Sequence, residues 1–404
     1  SLIQRHCLID CPFPPNHYNL PIPAIAELNR QLRELEIDLI VVPIPPRELY
    51  TWRFFPADPP AGSARINPNW ERAISSLLEH DIETVDLLLE IERAHPLPQY
   101  LYFDQVDPHP ADGIIRLAAR VLGSRLARYP LNAWRNVEGL RLRRVPIYPP
   151  GWYLQQQGGS FDPYYCGIAT QVVDESGFAI PESVADSPIL VFGDSFVGSL
   201  FARACDVVSH VTYETGVMPT RLEIGGSAPS IQIHIARERE RYLNGKRVCV
   251  FVFNGRELLY PFPPSSEMRP KKRWMSADLA HRDALDSGNN GDERDIVLEI
   301  LSAPDLPAAS ELDYPSCLGI YECRRQSRAE EILLSGWVFL ERERTSMAGL
   351  RKGDFIRCGL VAMQEAPDSA INAARIDSSD RFDLPLFFCE DFTKLNAAPA
   401  EHFE

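Results

Sequence analysis

Hydrophobic residues alternate between helical spacing and short continuous runs over the first 260 residues. Ile25, Leu28, Leu32 and Leu35 stand three or four residues apart, which predicts a helix, and the apolar run 39–44 predicts a buried strand. Helices and strands that alternate in this way are typical of an α/β layer fold with a mostly parallel sheet. The further helices predicted are 70–78, 112–126 and 196–204, and the further strands are 83–88, 189–192, 207–213 and 247–253.

Residues 129–187 fit neither period and are rich in proline, glycine and aromatic residues. We interpret them as a long insertion in the α/β domain. Long ordered loops of this kind often contain functional residues.

The pattern changes after Tyr260. Residues 261–291 contain prolines, a Lys-Lys-Arg run and an Asp-Ser-Gly-Asn-Asn-Gly sequence, which are typical of a linker. Beyond them, short β-rich runs are separated by turn residues, and their number in about 110 residues predicts a small β-sandwich. The domains predicted are therefore 1–262 (α/β), 263–290 (linker) and 291–404 (β-sandwich). The five β-rich runs are 295–301, 318–323, 332–340, 355–363 and 384–389.

The chain is acidic. Its 404 residues include 41 Lys and Arg against 56 Asp and Glu, a formal net charge of −15. Proteins that bind nucleic acid present basic faces to the phosphates, so this balance argues against such a partner. Within 291–404, 22 acidic and 12 basic residues leave a net charge of −10. Most of the negative charge therefore belongs to the predicted β-domain.

The sequence predicts neither a membrane span nor a metal site. No apolar run reaches the roughly 20 residues that cross a bilayer. The cysteines form no Cys-x-x-Cys pair and the histidines form no His-x-x-x-His pair, so we expect no zinc. The nine cysteines are interpreted as buried thiols, with one or two disulfides as the alternative.

The strongest chemical signal is the sequence Gly193-Asp194-Ser195-Phe196, directly after the predicted strand 189–192. Open α/β sheets place their sites at the carboxyl ends of parallel strands, and a glycine there permits a tight turn. Ser195 is therefore a candidate nucleophile. The alternative is a purely local role, because Ser and Asp are favoured at the first position of a helix.

Asp107 and His109 form a second signal. A serine hydroxyl becomes a useful nucleophile when an imidazole accepts its proton, and that imidazole needs a carboxylate to fix its tautomer. A spacing of two residues on one loop lets Asp107 reach the ring of His109. The alternative is a surface Asp-Pro turn with an exposed histidine.

Together these motifs resemble a known family. An Asp-x-His block about 86 residues upstream of Gly-Asp-Ser-Phe, on a β/α chain, resembles the SGNH-hydrolase-like O-acetyltransferases of bacterial exopolysaccharides, of the alginate O-acetylation type. In that type the Asp-His block precedes the serine block. The sequence Gly225-Gly226-Ser227 and the strand 250–256, which ends in an arginine, add to the resemblance, and it covers about residues 20–260. The family has a tryptophan after the histidine, whereas this chain has a proline.

The resemblance implies an SGNH-like three-layer domain and a Ser-His-Asp triad. Ser195 would be the nucleophile, His109 the general base and acid, and Asp107 its orienting carboxylate. The implied donors to the acyl oxygen are the backbone N–H groups of Ser195 and of Gly225 or Gly226, with the side chain of Asn254. Arg256 would hold the acceptor or the acyl group, or form a salt bridge at the strand end.

The implied reaction moves an acetyl group through Ser195 to a sugar hydroxyl of an exopolysaccharide. The implied partners are a polysaccharide acceptor, an acetyl donor and other exopolysaccharide-assembly proteins, without a cofactor, in the periplasm or outside the cell. The β-domain fits a carbohydrate-binding module, and its negative charge predicts a neutral or weakly charged acceptor. Two alternatives stay open: a carbohydrate acetylesterase with the same triad, and a non-enzymatic polysaccharide-binding scaffold.

Overall fold

The computed structural model divides into two compact units that interleave along the chain. The first unit comprises Ser1–Glu223 and Glu240–Ser276, and the second comprises Ile224–Arg239 and Ala277–Glu404. The structure describes residues 21–46, 49, 68–94, 109–147, 167–198, 203–226, 228–259, 274, 279, 293–309, 312, 314–327, 330–371, 373–377, 379, 381 and 384–395.

The described helices and strands are numbered in chain order. The helices are α1 (Pro21–Glu34), α2 (Pro68–Glu79), α3 (Leu87–Arg93), α4 (Asp112–Leu126), α5 (Leu131–Trp134), α6 (Val207–Thr215), α7 (Ile231–Arg237), α8 (Arg239–Leu243), α9 (Arg256–Leu259) and α10 (Asp368–Ile371). The strands are β1 (Asp38–Ile44), β2 (Glu83–Thr84), β3 (Arg141–Ile147), β4 (Gly167–Val173), β5 (Ile189–Gly193), β6 (Thr220–Glu223), β7 (Val248–Asn254), β8 (Glu293–Ser302), β9 (Cys317–Arg325), β10 (Glu331–Leu340), β11 (Glu343–Arg344), β12 (Phe355–Ala362), β13 (Ala374–Ile376), β14 (Leu386–Phe388) and β15 (Phe392–Leu395).

The first unit is built on a five-stranded sheet in the order β2-β1-β7-β5-β6. Every pairing in it is parallel. The α/β prediction with a mostly parallel sheet is confirmed. Parallel sheets of this kind are buried on both faces, which explains why β5 and β7 are almost continuously apolar.

Both faces of the central strands pack against apolar side chains. On one face Val191 and Val250 join a core that includes residues of α4 and α6. On the other face the rings of Phe192 and Phe251 stack with centroids 4.7 Å apart. These two phenylalanines are paired in register across β5 and β7. The sheet is therefore held on both sides by packing, and its carboxyl edge is a rigid base for a site.

One strand prediction in this unit, 207–213, is wrong, and another, 83–88, is right only for its first two residues. Residues 207–215 form α6, capped by Asp206, whose carboxylate accepts the Ser209 N–H at 2.8 Å. The helix ends at Gly216, which has a left-handed φ of 69°. Likewise β2 ends at Thr84, and the residues after Asp86 form α3. The predicted helix 196–204 is also wrong where it is described, because 196–198 and 203–204 are turns and bends.

Part of the predicted insertion 129–187 is described and contains an antiparallel hairpin of β3 and β4. The hairpin is tied to the start of α4, because Asp112 accepts the Thr170 N–H at 2.6 Å and the Thr170 hydroxyl at 2.9 Å. The imidazole of His210 on α6 lies 2.9 Å from the Thr170 carbonyl oxygen. One residue of β4 therefore fixes two helices of the first unit.

The described strands of the second unit form one eight-stranded sheet, ordered β11-β10-β14-β12-β8-β9-β13 with β15 on β12. β9 also pairs with β10, which closes the sheet on itself. The predicted β-rich runs all form strands, but the predicted sandwich of two sheets is wrong, since one closed, barrel-like sheet surrounds the core. That core is formed by buried residues such as Tyr321, Leu334 and Phe339.

Residues 224–239 group with the second unit, although they lie within the predicted α/β range 1–262. Arg237 on α7 forms a buried ion pair with Asp377, with both side chains 1% exposed. Arg375 donates to Nδ1 of His234 at 3.0 Å. Two polar side chains of α7 therefore bond to β13 and to the residue that directly follows it.

None of the described helices combines the length and the apolar character that a membrane crossing requires. The described cysteines are buried and unbridged; they are Cys205, Cys249, Cys317, Cys323, Cys358 and Cys389.

Candidate active site

Ser195 lies in a tight turn, 194–198, at the carboxyl end of β5. We call this segment the nucleophile turn, after the role that the sequence analysis predicts for Ser195. β5 lies between β7 and β6 in the sheet, so the ends of both neighbours are close to the turn. The carboxyl edge of a parallel sheet is where α/β proteins place their reactive groups.

Gly193 allows β5 to approach β7 closely at this point. A Cβ atom at residue 193 would collide with the carbonyl oxygen of Val252 on β7. Any side chain here would push the two strands apart directly below Ser195. The close approach of β5 and β7 therefore requires a glycine at this position of the Gly-Asp-Ser motif.

Asp194 holds the nucleophile turn. Its Oδ1 accepts the N–H of Phe196 at 2.9 Å, and its carbonyl oxygen accepts the N–H of Val197 at 3.0 Å. Its Oδ2 accepts the N–H of Asn254 at 3.1 Å. The carboxylate is buried, so these bonds replace its hydration. Asp194 is therefore a structural residue of the turn.

His109 and Ser195 meet across 86 residues of sequence. Nε2 of His109 lies 2.8 Å from Oγ of Ser195, within hydrogen-bond distance. In the tautomer that has its proton on Nδ1, the serine hydroxyl donates to Nε2, which is the arrangement that general-base catalysis requires. The ring of His109 also packs on the ring of Phe196, with centroids 5.0 Å apart.

The position of His109 is fixed by the start of α4. His109 stands three residues before Asp112, and the intervening Pro110 and Ala111 are buried. The bonds from Thr170 to Asp112 anchor this helix end to β4. Pro110 therefore lies in a packed helix entry next to the histidine.

Asn254 and Arg256 follow β7 and adjoin the nucleophile turn through the Asn254–Asp194 bond. Oδ1 of Asn254 accepts the N–H of Arg256 at 3.1 Å. This bond orients the side-chain amide and leaves Nδ2 as its donor atom. Arg256 is the first residue of α9 and is half-buried.

Gly225 and Gly226 belong to the second unit. A Cβ atom at residue 225 would lie 2.7 Å from the ring of Tyr314, so the aromatic ring rests on this glycine. Gly226 has a φ of 66°, in the left-handed region that glycine favours. Asp107, the predicted orienting carboxylate, lies outside the described residues.

A charged cluster that no sequence motif predicts lies under the nucleophile turn. Arg221 and Glu223 on β6 form an ion pair. Nη1 of Arg221 also lies 3.4 Å from carboxylate oxygens of Asp206 and of Glu182. Because side chains alternate along a strand, residues 221 and 223 lie on one face of β6. This spacing is the only sequence feature that indicates the ion pair.

The hydroxyl of Ser195 and the imidazole of His109 are suited to nucleophilic attack and proton transfer. Within the described residues, no group of three or more His, Cys, Asp or Glu side chains is arranged to hold a metal ion. A hydroxyl bonded to an imidazole at a sheet edge is the arrangement used in acyl transfer.

Comparison with known proteins shows distant likenesses to solved structures. The O-acetyltransferase domain of Pseudomonas putida AlgJ aligns with a TM-score of 0.42 at 14% identity, covering 61% of this chain and 84% of that one. Pseudomonas aeruginosa AlgX aligns with a TM-score of 0.45 at 12% identity, covering 85% of this chain and 84% of that one. Bacillus cereus PatB1 with a sulfonyl adduct aligns with a TM-score of 0.39 at 12% identity, covering 59% of this chain and 88% of that one.

No protein-family model matches the sequence, and no curated protein matches it. These three likenesses have TM-scores below 0.5, so the functional argument rests on the site itself.

Proposed function

We propose that this protein is an O-acetyltransferase that moves an acetyl group through Ser195 to a sugar hydroxyl. The observation that supports this most directly is the 2.8 Å contact between Nε2 of His109 and Oγ of Ser195. The two residues come from distant parts of the chain, and both are held by bonds around them. Such a preformed pair supports a nucleophilic role better than a surface turn would.

In the first proposed step, Ser195 attacks the carbonyl carbon of an acetyl donor. Its proton passes to Nε2 of His109, and the donor's leaving group then takes that proton as the tetrahedral intermediate collapses. The products are an acetyl-serine and the protonated leaving group. Asp107 is proposed to accept a bond from Nδ1 and so to stabilise the imidazolium.

In the second step, a sugar hydroxyl gives its proton to His109 and attacks the acetyl-serine, and the proton returns to Oγ as the ester forms. In both steps negative charge develops on the acyl oxygen, and each donor aimed at it contributes about 3 kcal/mol. The proposed donors are the N–H of Ser195 and Nδ2 of Asn254. Gly225 and Gly226 remain donors predicted from the resemblance alone.

The acceptor proposed is a neutral or weakly charged exopolysaccharide, and the proposed place of action is outside the cytoplasm, beside other exopolysaccharide-assembly proteins. Arg256 is proposed to bind the acceptor or the acetyl group. The closed β-sheet of the second unit is proposed to bind the polymer. The proposed acetyl donor is either a protein or a small molecule.

The test is to incubate the full-length protein with an activated acetyl ester, with and without neutral oligosaccharides. The masses of the protein and of the sugars are then measured by mass spectrometry. We expect one acetyl group on Ser195 and, when oligosaccharide is added, acetylated sugar. Ser195→Ala should lose both products. Ser124→Ala removes an exposed hydroxyl that bonds the Arg120 carbonyl, and it should change neither product.

Two outcomes would replace the proposal. Acetate release at an unchanged rate with no acetylated sugar, over several acceptors, would identify an acetylesterase, because water would then be the acceptor. A protein that is not acetylated and releases no acetate, yet binds polysaccharide, would identify a scaffold.

A further inference from the structure

Strand β4 is bonded to two segments that lead to the two halves of the candidate active site. Among the described strands, β3 and β4 form a sheet of two, so β3 lies along one edge of β4. On the other edge, the N–H of Thr170 donates to Oδ1 of Asp112 at 2.6 Å. The N–H of Val172 donates to the carbonyl oxygen of Ala204 at 2.8 Å. The first bond reaches the helix that follows His109, and the second reaches the chain between the nucleophile turn and α6.

The bonds on the histidine side fix the start of α4. Oδ2 of Asp112 also accepts the hydroxyl of Thr170 at 2.9 Å, so the carboxylate is held by two donors of one residue. Thr170 is held in turn, because Nε2 of His210 lies 2.9 Å from its carbonyl oxygen. The first turn of α4 closes on the carbonyl oxygen of Ala111, and both Ala111 and the proline before it are buried. A shift of the helix start would therefore move the imidazole of His109 with it.

The bonds on the serine side hold the segment that begins at Arg203 and leads into α6. Nε2 of Gln171 donates to the carbonyl oxygen of Arg203 at 2.8 Å. Ala204 has a φ of 57°, in the left-handed region that is costly for a residue with a Cβ atom and that persists where surrounding bonds fix it. The N–H of Val207 donates to the carbonyl oxygen of Val197 in the nucleophile turn at 3.2 Å. The bonds from β4 therefore continue to the turn that contains the nucleophile.

We propose that Thr170 and Gln171 are positioning residues that keep His109 at hydrogen-bond distance from Ser195, Thr170 from the histidine side and Gln171 from the serine side. The role rests on the proposed function, since the 2.8 Å contact matters when Ser195 gives its proton to His109. A general base must lie within about 2.6–3.2 Å of the group whose proton it takes. A displacement of about 1 Å can slow a reaction by about 100-fold. Neither positioning residue touches the substrate.

The test measures how fast Ser195 of the full-length protein reacts with phenylmethylsulfonyl fluoride, which labels activated serine hydroxyls. Oγ forms a bond to sulfur, the S–F bond breaks, fluoride leaves, and the hydroxyl proton passes to Nε2 of His109. The mass of the intact protein gives the labelling rate at several probe concentrations, which separates the limiting rate from the half-saturating concentration. The probe has no acetyl group, so the result does not depend on whether the protein transfers acetyl groups.

Thr170→Val removes the hydroxyl that donates to Asp112 and leaves a side chain of similar shape. We expect the limiting rate to fall by about tenfold with an unchanged half-saturating concentration, because the base is displaced and the probe site is not. Thr170→Ser keeps the hydroxyl and should label like the parent. Thr215→Val is the matched control, because it removes a buried hydroxyl that bonds the Val211 carbonyl at the far end of α6. It should lower stability without changing the labelling rate of the folded protein.

Gln171→Met tests the serine side and is the second variant if Thr170→Val does not fold. It removes the amide that donates to the Arg203 carbonyl, and the limiting rate should again fall by about tenfold. The amide oxygen of Gln171 also accepts from Arg143. Arg143→Met loses that bond alone, so it is the control for Gln171→Met and should label like the parent.

A limiting rate like that of the parent in Thr170→Val or in Gln171→Met would overturn the role of that residue. A Thr170→Ser variant as slow as Thr170→Val, or a change confined to the half-saturating concentration, would also overturn the proposal. A parent that is not labelled at Ser195 would overturn it together with the pairing of serine and histidine. A parent that is labelled but not acetylated by the acetyl ester would overturn acetyl transfer alone, and the rates of the variants would still decide the positioning role.

Discussion

Asp194 joins the nucleophile turn to the neighbouring strand, because its Oδ2 accepts the N–H of Asn254 at 3.1 Å. Its other carboxylate oxygen holds the turn itself through the N–H of Phe196. One buried carboxylate therefore sets the distance between Ser195 and the end of β7, where the proposed amide donor lies.

Asp194→Asn should destabilise the first unit and slow acetylation of Ser195. An amide has one acceptor oxygen, so one of the two backbone N–H groups would be left without a partner, at a cost of about 1–3 kcal/mol. Denaturant unfolding and the acetylation rate would measure this. Asp174 accepts the Phe178 N–H in an exposed turn, and Asp174→Asn should cost much less. Equal losses in the two variants would contradict the role given to Asp194.

His109→Ala should reduce the rate of Ser195 acetylation by about 10²–10⁴-fold, because the hydroxyl would lose its proton acceptor. The measurement is the initial rate with an activated acetyl ester, between about pH 5 and 8, where histidine changes charge. In the parent the rate should fall towards low pH, since a protonated imidazole cannot accept the proton. His80→Ala, at an exposed histidine bonded to the Ser76 carbonyl, should act like the parent. A parent rate independent of pH, with chemistry limiting, would count against His109 as the base.

Gly193→Ala should destabilise the protein by about 1–3 kcal/mol or more, since the added methyl group meets the Val252 carbonyl oxygen. Thermal unfolding would measure the loss. Gly349→Ala is the matched control, because nothing lies within 4 Å of a Cβ atom there. If the two variants unfold alike, then β5 and β7 do not approach as closely as described.

His234 should make the second unit less stable in mild acid. Burial, with the nearby cations Arg375 and Arg237, lowers the pKa of His234 well below its usual value of 6.5. Between that lowered pKa and about 6.5 the unfolded chain binds a proton that the folded chain does not. Stability is therefore complete above about pH 6.5 and is lost as the pH falls, by at most about 1.4 kcal/mol per pH unit.

Unfolding in denaturant at several pH values would test this in the parent and in His234→Gln. The variant should have a smaller dependence on pH, since the titrating group is gone. His80→Gln changes an exposed imidazole and should keep the dependence of the parent. His210, whose pKa burial also lowers, remains in both and contributes equally to each. An unchanged slope in His234→Gln would show that His234 does not titrate on unfolding in this range.

The acceptor should be neutral or weakly charged, because residues 291–404 have a net charge of −10. Repulsion between exposed charges is screened beyond about 8–10 Å in physiological salt, but it adds up along a polymer. Binding of the full-length protein to neutral and anionic oligosaccharides of one length, at several salt concentrations, would measure this. Tighter binding to the anionic polymer that weakens with salt would show that a local basic surface outweighs the net charge.

The sequence predicts the part of the site that is local. β5, the glycine turn and Ser195 are contiguous, and α4 shows regular apolar spacing after His109, so each could be recognised alone. The sequence of 207–215 resembles a strand because α6 is buried on almost all sides and is rich in β-branched residues, so it shows no amphipathic period. The signals that identify it are the caps, Asp206 and Gly216.

Features that depend on contacts between distant segments have no comparable signal in the sequence. Whether strands form a sandwich or a closed sheet depends on which distant strands pair, and the β8–β12 and β10–β14 pairings join segments that the pattern cannot match. The charged cluster at Arg221 is similar, because its carboxylates come from separate segments. Each of its members is an ordinary polar residue until the fold brings them together.

The two units interleave along the chain, and this limits how one unit could be replaced by a domain from another protein. The chain leaves the first unit after Glu223, returns at Glu240 and leaves again after Ser276. If the chain were divided at the predicted linker, α7 would be separated from the C-terminal segment. Arg237 on α7 would then lose Asp377, its buried ionic partner. The second unit therefore cannot be replaced by substituting one continuous segment of the chain. A chimaeric protein must replace residues 224–239 together with the C-terminal segment.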